Sequence, residues 1–170
     1  MVKHPNFQAN ITKLLAAFRA VSHNVRIIHV CHHSLSESFP FHPSHQGVQF
    51  KEYAKPLVGK TVMSKNVNSA FIGTKLKNTI KGLGIERLVV VGLTTGYRVS
   101  TSVRMAANLH VVGQPDEIII ISDATAVHAC SDGGKDYDGE IVHTVNLATL
   151  NSEFCVVKTT EQVLQLLGGA

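Results

Sequence analysis

The feature that most constrains the fold is a series of apolar runs that alternate with amphipathic segments. Four runs rich in β-branched residues read VRIIHVC (25–31), RLVVVG (87–92), EIIIIS (117–122) and FCVVK (154–158), and TVMSK (61–65) is a shorter candidate. Runs without polar alternation are typical of parallel strands covered on both faces. The alternation therefore predicts an α/β fold, with an open, mostly parallel sheet of five or six strands and helices on both faces.

Helices are predicted between these runs. From Asn6 to Val21 the apolar residues recur at spacings of three and four, which indicates one buried helical face. Glycines and hydroxyl residues, which favour helix ends, set the other bounds. The further predicted helices are 74–81 before Gly82 and Gly84, 97–109, 139–150, and a last helix that begins at Thr159 or Thr160 and closes at Gly168 and Gly169. We expect a single domain over residues 1–170.

Composition limits the classes of function. Hydrophobic residues make up 44% and charged residues 16% of the chain, and no apolar run approaches the roughly 18 residues that span a bilayer. The net charge of +4 comes from scattered Lys and Arg, without the basic block of a nucleic-acid-binding tail. The N-terminal segment lacks the apolar core of a secretory signal, and the three cysteines form no CxxC pair. We therefore expect a cytoplasmic protein with reduced thiols and no nucleic-acid or membrane partner.

Two segments are candidates for a functional site. The stretch 32–60 is rich in histidine and proline and has no sustained period, and a loop of this length in a compact domain is usually functional. The stretch GLTTGYRVSTSVRMA (92–106) joins RLVVVG to a helix, and such an elbow commonly presents one reactive side chain to a pocket. In this sequence the side chain at that position is Arg98, a cation in a nucleophile's place.

Three motifs carry a family resemblance. SKNVNSAFIGTKL (64–76), RLVVVGLTTGYRVSTSVRMAANL (87–109) and IIISDATAV (119–127) occur in an order and spacing that resembles the isochorismatase-like cysteine hydrolases, and the similarity extends from Asn6 to the tail. The resemblance implies a three-layer α-β-α fold. It also implies a catalytic Asp that takes the thiol proton, a Lys that supports the charge and a Cys that attacks the substrate.

Carried onto this sequence, the catalytic pattern is incomplete. The family Lys corresponds to Lys65, and the family Cys corresponds to Arg98. The family Asp ends a strand that would precede the segment beginning near Asn6, so we expect that strand and its Asp to be absent from this chain. In the family that strand lies between the strands that correspond to 25–31 and 87–92, in the order 3-2-1-4-5-6. We predict that these two strands pair directly here in a five-stranded sheet; in the alternative, another segment or chain takes the place of the missing strand.

The resemblance also implies details of the elbow. A cis peptide is expected between Leu93 and Thr94, with the amides of Thr94 and Arg98 directed into the pocket as an oxyanion hole. The other pocket candidates are His32, Phe39, Phe71 and Tyr97.

Arg98, Lys65 and a helix N-terminus together predict a pocket that attracts a small anion. In the alternative interpretation, Arg98 turns to solvent or pairs with an acidic residue of the loop such as Glu37.

Other polar clusters have structural interpretations. Asp123 follows EIIIIS and is interpreted as a capping residue rather than a replacement base. The loop DGGKDYDGE (132–140) lacks the spacing of a calcium loop and predicts a hairpin-like excursion. The histidines of HVCHHS (29–34) are interpreted as polar loop residues, so we expect no metal and no cofactor.

Three functions are compatible with this sequence. The first is an isochorismatase-like protein that is catalytically impaired and binds a small anion. The second is an active hydrolase of a small amide, ester or enol ether, and the third is a structural subunit of a larger complex. The resemblance also implies a homo-oligomer.

Overall fold

The computed structural model describes residues 5–21 and 24–168. The helices are α1 (Phe7–Ala20), α2 (Leu76–Leu83), α3 (Ser100–Asn108), α4 (Gly139–Leu150) and α5 (Thr160–Gly168). The strands are β1 (Ile28–His32), β2 (Thr61–Lys65), β3 (Leu88–Leu93), β4 (Ile118–Ala126), β5 (Cys130–Asp132), β6 (Lys135–Tyr137) and β7 (Val156–Lys158). A π-helical turn, Thr95–Val99, connects β3 to α3.

The strands form a parallel α/β arrangement with helices on both faces. β1 pairs with β2, and β3, β4 and β7 form a second parallel ladder in that order. Alternate residues of β4 enter two hydrophobic cores: Ile118 and Ile120 pack with α2, α3 and α4, and Ile119 and Ile121 pack with α1 and α5. The predicted three-layer α-β-α fold is confirmed.

The prediction that the two inner strands pair directly is wrong. β1 and β3 belong to separate ladders, and no backbone pairing joins them among the described residues. The physical reason is that side-chain packing does not require a ladder: Ile28 and Val30 of β1 and Leu88 and Val90 of β3 pack against the same hydrophobic cluster, so their apolar side chains are covered without pairing of the two strands.

Most element bounds differ little from the prediction. β2 and α4 have the predicted bounds, whereas β4 continues four residues beyond Ser122 and the elbow begins with a π turn rather than an α-helix. β5 and β6 form the predicted hairpin over 130–137. Gly84 ends α2 in the left-handed conformation, with φ of 60°. The predicted closing residue Gly169 lies outside the described residues.

No helix among the described residues is long and apolar enough to cross a membrane.

Asp123 has a structural role, as predicted, but it caps a helix much further along the chain than the turn that follows it. Its Oδ1 accepts hydrogen bonds from the amide of Thr160 at 2.8 Å and from the hydroxyl of Thr160 at 2.7 Å. Its carbonyl oxygen accepts a bond from the side-chain amide of Asn10 at 2.8 Å. The residue therefore fixes the first turn of α5 and links α1 to β4.

We expect Asp123→Ala to lower the free energy of unfolding by about 1–3 kcal/mol, because Thr160 would lose its acceptor at a partly buried helix start. Asp132→Ala is the matched control, since Asp132 is exposed in the β5–β6 hairpin, and its effect should stay within about 0.5 kcal/mol. Urea unfolding followed by circular dichroism measures both changes. Equal midpoints for the two variants would contradict the role assigned to Asp123.

Candidate functional site at the carboxyl ends of β1, β2 and β3

The elbow between β3 and α3 contains the cis peptide that the resemblance implies. The peptide bond between Leu93 and Thr94 is cis. The amides of Tyr97 and Val99 both donate to the carbonyl oxygen of Thr94, at 3.2 and 3.1 Å. The π turn that results places Arg98 beyond the carboxyl end of β3.

The hydroxyl groups after Arg98 hold the backbone. Ser100 and Thr101 donate to the carbonyl oxygen of Tyr97, at 3.3 and 2.6 Å, and Ser102 donates to the carbonyl oxygen of Arg98 at 2.6 Å. The Ser102 oxygen also accepts a bond from the amide of Ala70. These bonds occupy the hydroxyl protons, so the three groups act as supports of the elbow rather than as nucleophiles.

A buried histidine that sequence reasoning missed also supports the elbow. The Nδ1 atom of His143 lies 2.9 Å from the hydroxyl of Thr95, and its Nε2 atom lies 3.0 Å from the carbonyl oxygen of Ser122. Because a carbonyl can only accept, Nε2 carries the proton and Nδ1 accepts from Thr95. His143 is 5% exposed. It thus ties α4 to both the elbow and β4.

Arg98 is partly buried and forms no ion pair with a carboxylate among the residues that the structure describes. Its Nε atom is buried without a hydrogen-bond partner. The predicted alternative of pairing with Glu37 is therefore not seen. The guanidinium carbon lies 5.4 Å from the ring centre of Phe41, a cation–π contact with the long loop. Burial lowers the pKa of Arg98 from its usual value.

Lys65 ends β2 on the same side of the molecule. It is 8% exposed, and its Nζ donates to the carbonyl oxygen of Val67 at 2.8 Å. Burial, followed by the positive charge of Arg98, lowers the pKa of Lys65 to about 8. Lys65 therefore changes charge near neutral pH, unlike an exposed lysine.

His32 completes a cluster of basic side chains, defined as Lys65, Arg98 and His32. It is the register partner of Lys65 in the β1–β2 ladder, and its ring lies edge-on to Phe41 at 6.3 Å. Burial first, then the charges of Arg98 and Lys65, lower the pKa of His32. Its Nδ1 atom is buried without a hydrogen-bond partner, as is the Thr94 hydroxyl. The site thus has buried polar atoms without hydrogen-bond partners next to the positive charges of Lys65 and Arg98.

The other predicted pocket residues lie apart from this cluster. Phe39 and Tyr97 are 58% and 53% exposed, and Phe71 packs against the hydrophobic core. Phe41, two residues after Phe39, makes the contacts with His32 and Arg98. The motif FPF (39–41) indicated an aromatic side chain at the site. The sequence of a loop does not show which of the two phenylalanine rings faces the site.

An open cavity of about 410 Å³ lies beside Lys65. Its lining includes His33, His42, Ser64 and Asn66. Arg98 is not part of this lining, and its guanidinium contacts the ring of Phe41.

Cys31 is the thiol nearest to the cluster. Its sulfur donates to the carbonyl oxygen of Met63 and lies 3.5 Å from Nε2 of His33. Burial raises the pKa of this thiol, although the charge of Lys65 lowers it in part. Because the thiolate is the reactive form, Cys31 is a poor replacement for the family nucleophile.

The fold and the site define a class, namely three-layer α/β proteins in which a cis peptide precedes the turn between a parallel strand and a helix. A family model described as the isochorismatase domain matches residues 2–162. This chain belongs to the isochorismatase family.

Known relatives support the same assignment. An isochorismatase family protein of Bacillus subtilis, YrdC, is 37% identical over 92% of this chain and 81% of its own length. A second protein of that organism, YddQ, is 31% identical over 92% of this chain and 83% of its own length. The crystal structure of an isochorismatase family protein from Chromobacterium violaceum has a TM-score of 0.91 at 33% identity, over 100% of this chain and 85% of that one.

We expect an NMR titration of the Lys65 side chain to give a pKa near 8, and Arg98→Leu to raise that value. The rise should be partial, because burial is the larger cause and remains in the variant. Lys65 keeps its charge in the unfolded chain up to about pH 10.5 but loses it near pH 8 when folded. Folding stability should therefore increase between these pH values.

Lys81, exposed in the last turn of α2, is the reference lysine for this titration. An unchanged Lys65 midpoint in Arg98→Leu would contradict the coupling between the two cations.

Proposed function

We propose that this protein is a catalytically impaired member of the isochorismatase family that binds a small anion between Arg98 and Lys65. The observation that carries the proposal is that the buried Lys65 and the partly buried Arg98 have no carboxylate partner among the described residues. Buried charges are usually paired, and a guanidinium offers planar N–H groups that match a carboxylate, phosphate or sulfate. A bound anion would supply the missing charge.

The loss of thiol catalysis follows from the position of Arg98. A guanidinium at the elbow has no nucleophilic atom, and the neighbouring hydroxyl groups donate to backbone carbonyls. The retained Lys65 and the cis peptide between Leu93 and Thr94 can still position a negatively charged group. The proposed activity is therefore recognition of an anion rather than cleavage of a bond.

We expect sulfate, phosphate or acetate to bind saturably, as measured by calorimetry and by amide shifts near the elbow. Arg98→Leu should weaken the affinity at least about tenfold, which corresponds to the loss of one charge-assisted hydrogen bond. Binding should also weaken as the pH rises through about 8, because Lys65 then loses its proton.

Arg104→Leu is the matched control for anion binding. Arg104 lies in α3, the helix that follows the elbow, but its guanidinium stacks on Phe154 and donates to the hydroxyl of Thr149. Its replacement should leave the affinity unchanged. Equal binding by wild type and Arg98→Leu would refute the assigned anion site.

We expect the wild-type protein to form no acyl adduct with p-nitrophenyl acetate at the elbow, as judged by intact mass and peptide mapping. Arg98→Cys should be acylated faster than Arg104→Cys, because Lys65 and the elbow amides favour a thiolate at position 98. Turnover of the ester by the wild type at the rate of a family hydrolase would support the rival interpretation of an active enzyme.

A further inference from the structure

A second open cavity, of about 430 Å³, lies at the other edge of the sheet. Its lining includes Ile85, which precedes β3, and Gly113, which precedes β4. The cavity is therefore at the amino ends of these strands. Arg98 follows the carboxyl end of β3 and Lys65 is the last residue of β2, so the cavity is separate from the anion site proposed above.

The floor of this cavity is apolar. Ile80, Val111 and Val112 line it, and all three are buried members of the hydrophobic core. Ile85 also lines the cavity and packs against the same cluster. Sites for small molecules are typically concavities of a few hundred cubic ångströms with mainly apolar walls and a small number of polar groups that orient the ligand. The floor therefore suits the hydrocarbon part of a small ligand.

The rim of the cavity carries two basic side chains, Lys81 and His110. Both line the cavity and are exposed, and neither forms a hydrogen bond or an ion pair through its side chain within the described part of the chain. The carboxylate of Glu117 lies beside Gly113 but is not part of the lining, and it accepts a hydrogen bond from the amide of Gln114 at 2.8 Å. The side chains that a ligand meets at the rim are therefore N–H donors.

The helix ends beside the cavity are capped by backbone hydrogen bonds. At the end of α3, the amide of His110 donates to the carbonyl oxygen of Ala107 at 2.9 Å. The amide of Val111 donates to the carbonyl oxygen of Ala106 at 3.2 Å, and the amide of Gly84 caps α2. Because these carbonyl groups already accept bonds, the helix ends offer a cationic ligand little, whereas the basic side chains favour an anion.

His110 has a backbone conformation that glycine normally adopts. Its φ is 46°, in the left-handed region, and it directly follows Leu109, the C-cap of α3. A residue with a side chain is less stable than glycine in this position. The imidazole thus adds a hydrogen-bonding group to the rim although it lowers the stability of the fold.

We propose that this cavity binds a small carboxylic acid with an apolar body. The hydrocarbon lies on the apolar floor formed by Ile80, Val111 and Val112. The carboxylate accepts charge-assisted hydrogen bonds from Nζ of Lys81 and a bond from a ring N–H of His110. An inorganic anion matches only the rim, and a neutral hydrocarbon matches only the floor. The proposal does not depend on anion binding at Arg98.

The first experiment titrates hydrocinnamate, a phenyl ring and short alkyl chain that end in one carboxylate, into the Arg98→Leu variant, so that the anion site does not contribute. We expect saturable binding with amide shifts at Gly84 and Gly113 in NMR spectra. The neutral amide of the same acid should bind at least about tenfold more weakly, because it lacks the charge. Acetate, which lacks the apolar body, should not shift these two amides. Equal binding of the acid and its amide, or no shifts at Gly84 and Gly113 with the acid, would overturn the proposal.

Variants of the rim, made in the same background, test the two polar contacts. Lys81→Met keeps a flexible apolar stem without the charge and should weaken hydrocinnamate binding about tenfold. Lys75→Met is the matched control, because Lys75 lies at the opposite end of α2 and outside the lining, and it should leave the affinity unchanged. His110→Gly should weaken binding while it raises the midpoint of urea unfolding, because glycine adopts a positive φ without strain. Unchanged affinity in either Lys81→Met or His110→Gly would refute the assigned contacts.

Sulfate binding to the wild type separates this proposal from the anion site. If sulfate fails to bind while hydrocinnamate shifts Gly84 and Gly113, the anion proposal fails and the acid site stands. If sulfate binds at the elbow while hydrocinnamate leaves these amides unchanged, the acid site fails alone.

Discussion

The arrangement of the site depends on the burial of β4. Its four consecutive isoleucines, Ile118 to Ile121, face the two hydrophobic cores in alternation, so β4 is packed against helices on both faces. β4 in turn fixes β3 through the parallel ladder, and its Ser122 carbonyl fixes His143, which holds Thr95 of the elbow. The position of Arg98 is therefore set by contacts that do not involve its side chain.

These contacts explain how a partly buried cation can be held at the elbow. Removing a guanidinium and an ammonium from water without partners costs stability, and the depressed pKa of Lys65 reflects that cost. Part of the cost is offset by the ring of Phe41 over Arg98 and by the carbonyl oxygen of Val67 at Lys65. Neither group carries a negative charge. The remaining imbalance is what a ligand of opposite charge would remove.

Local sequence patterns predicted the helices and strands, but they did not predict the contacts between residues far apart in the chain. The bounds of β2 and α4 followed from short apolar periods, and the cis peptide at Leu93 followed only from the family resemblance. The Thr95–His143 contact joins residues 48 positions apart, which no local period can indicate. The predicted pairing of β1 with β3 was wrong. A continuous apolar run indicates that both faces of a strand are covered, but it does not indicate which strand lies beside it in a ladder.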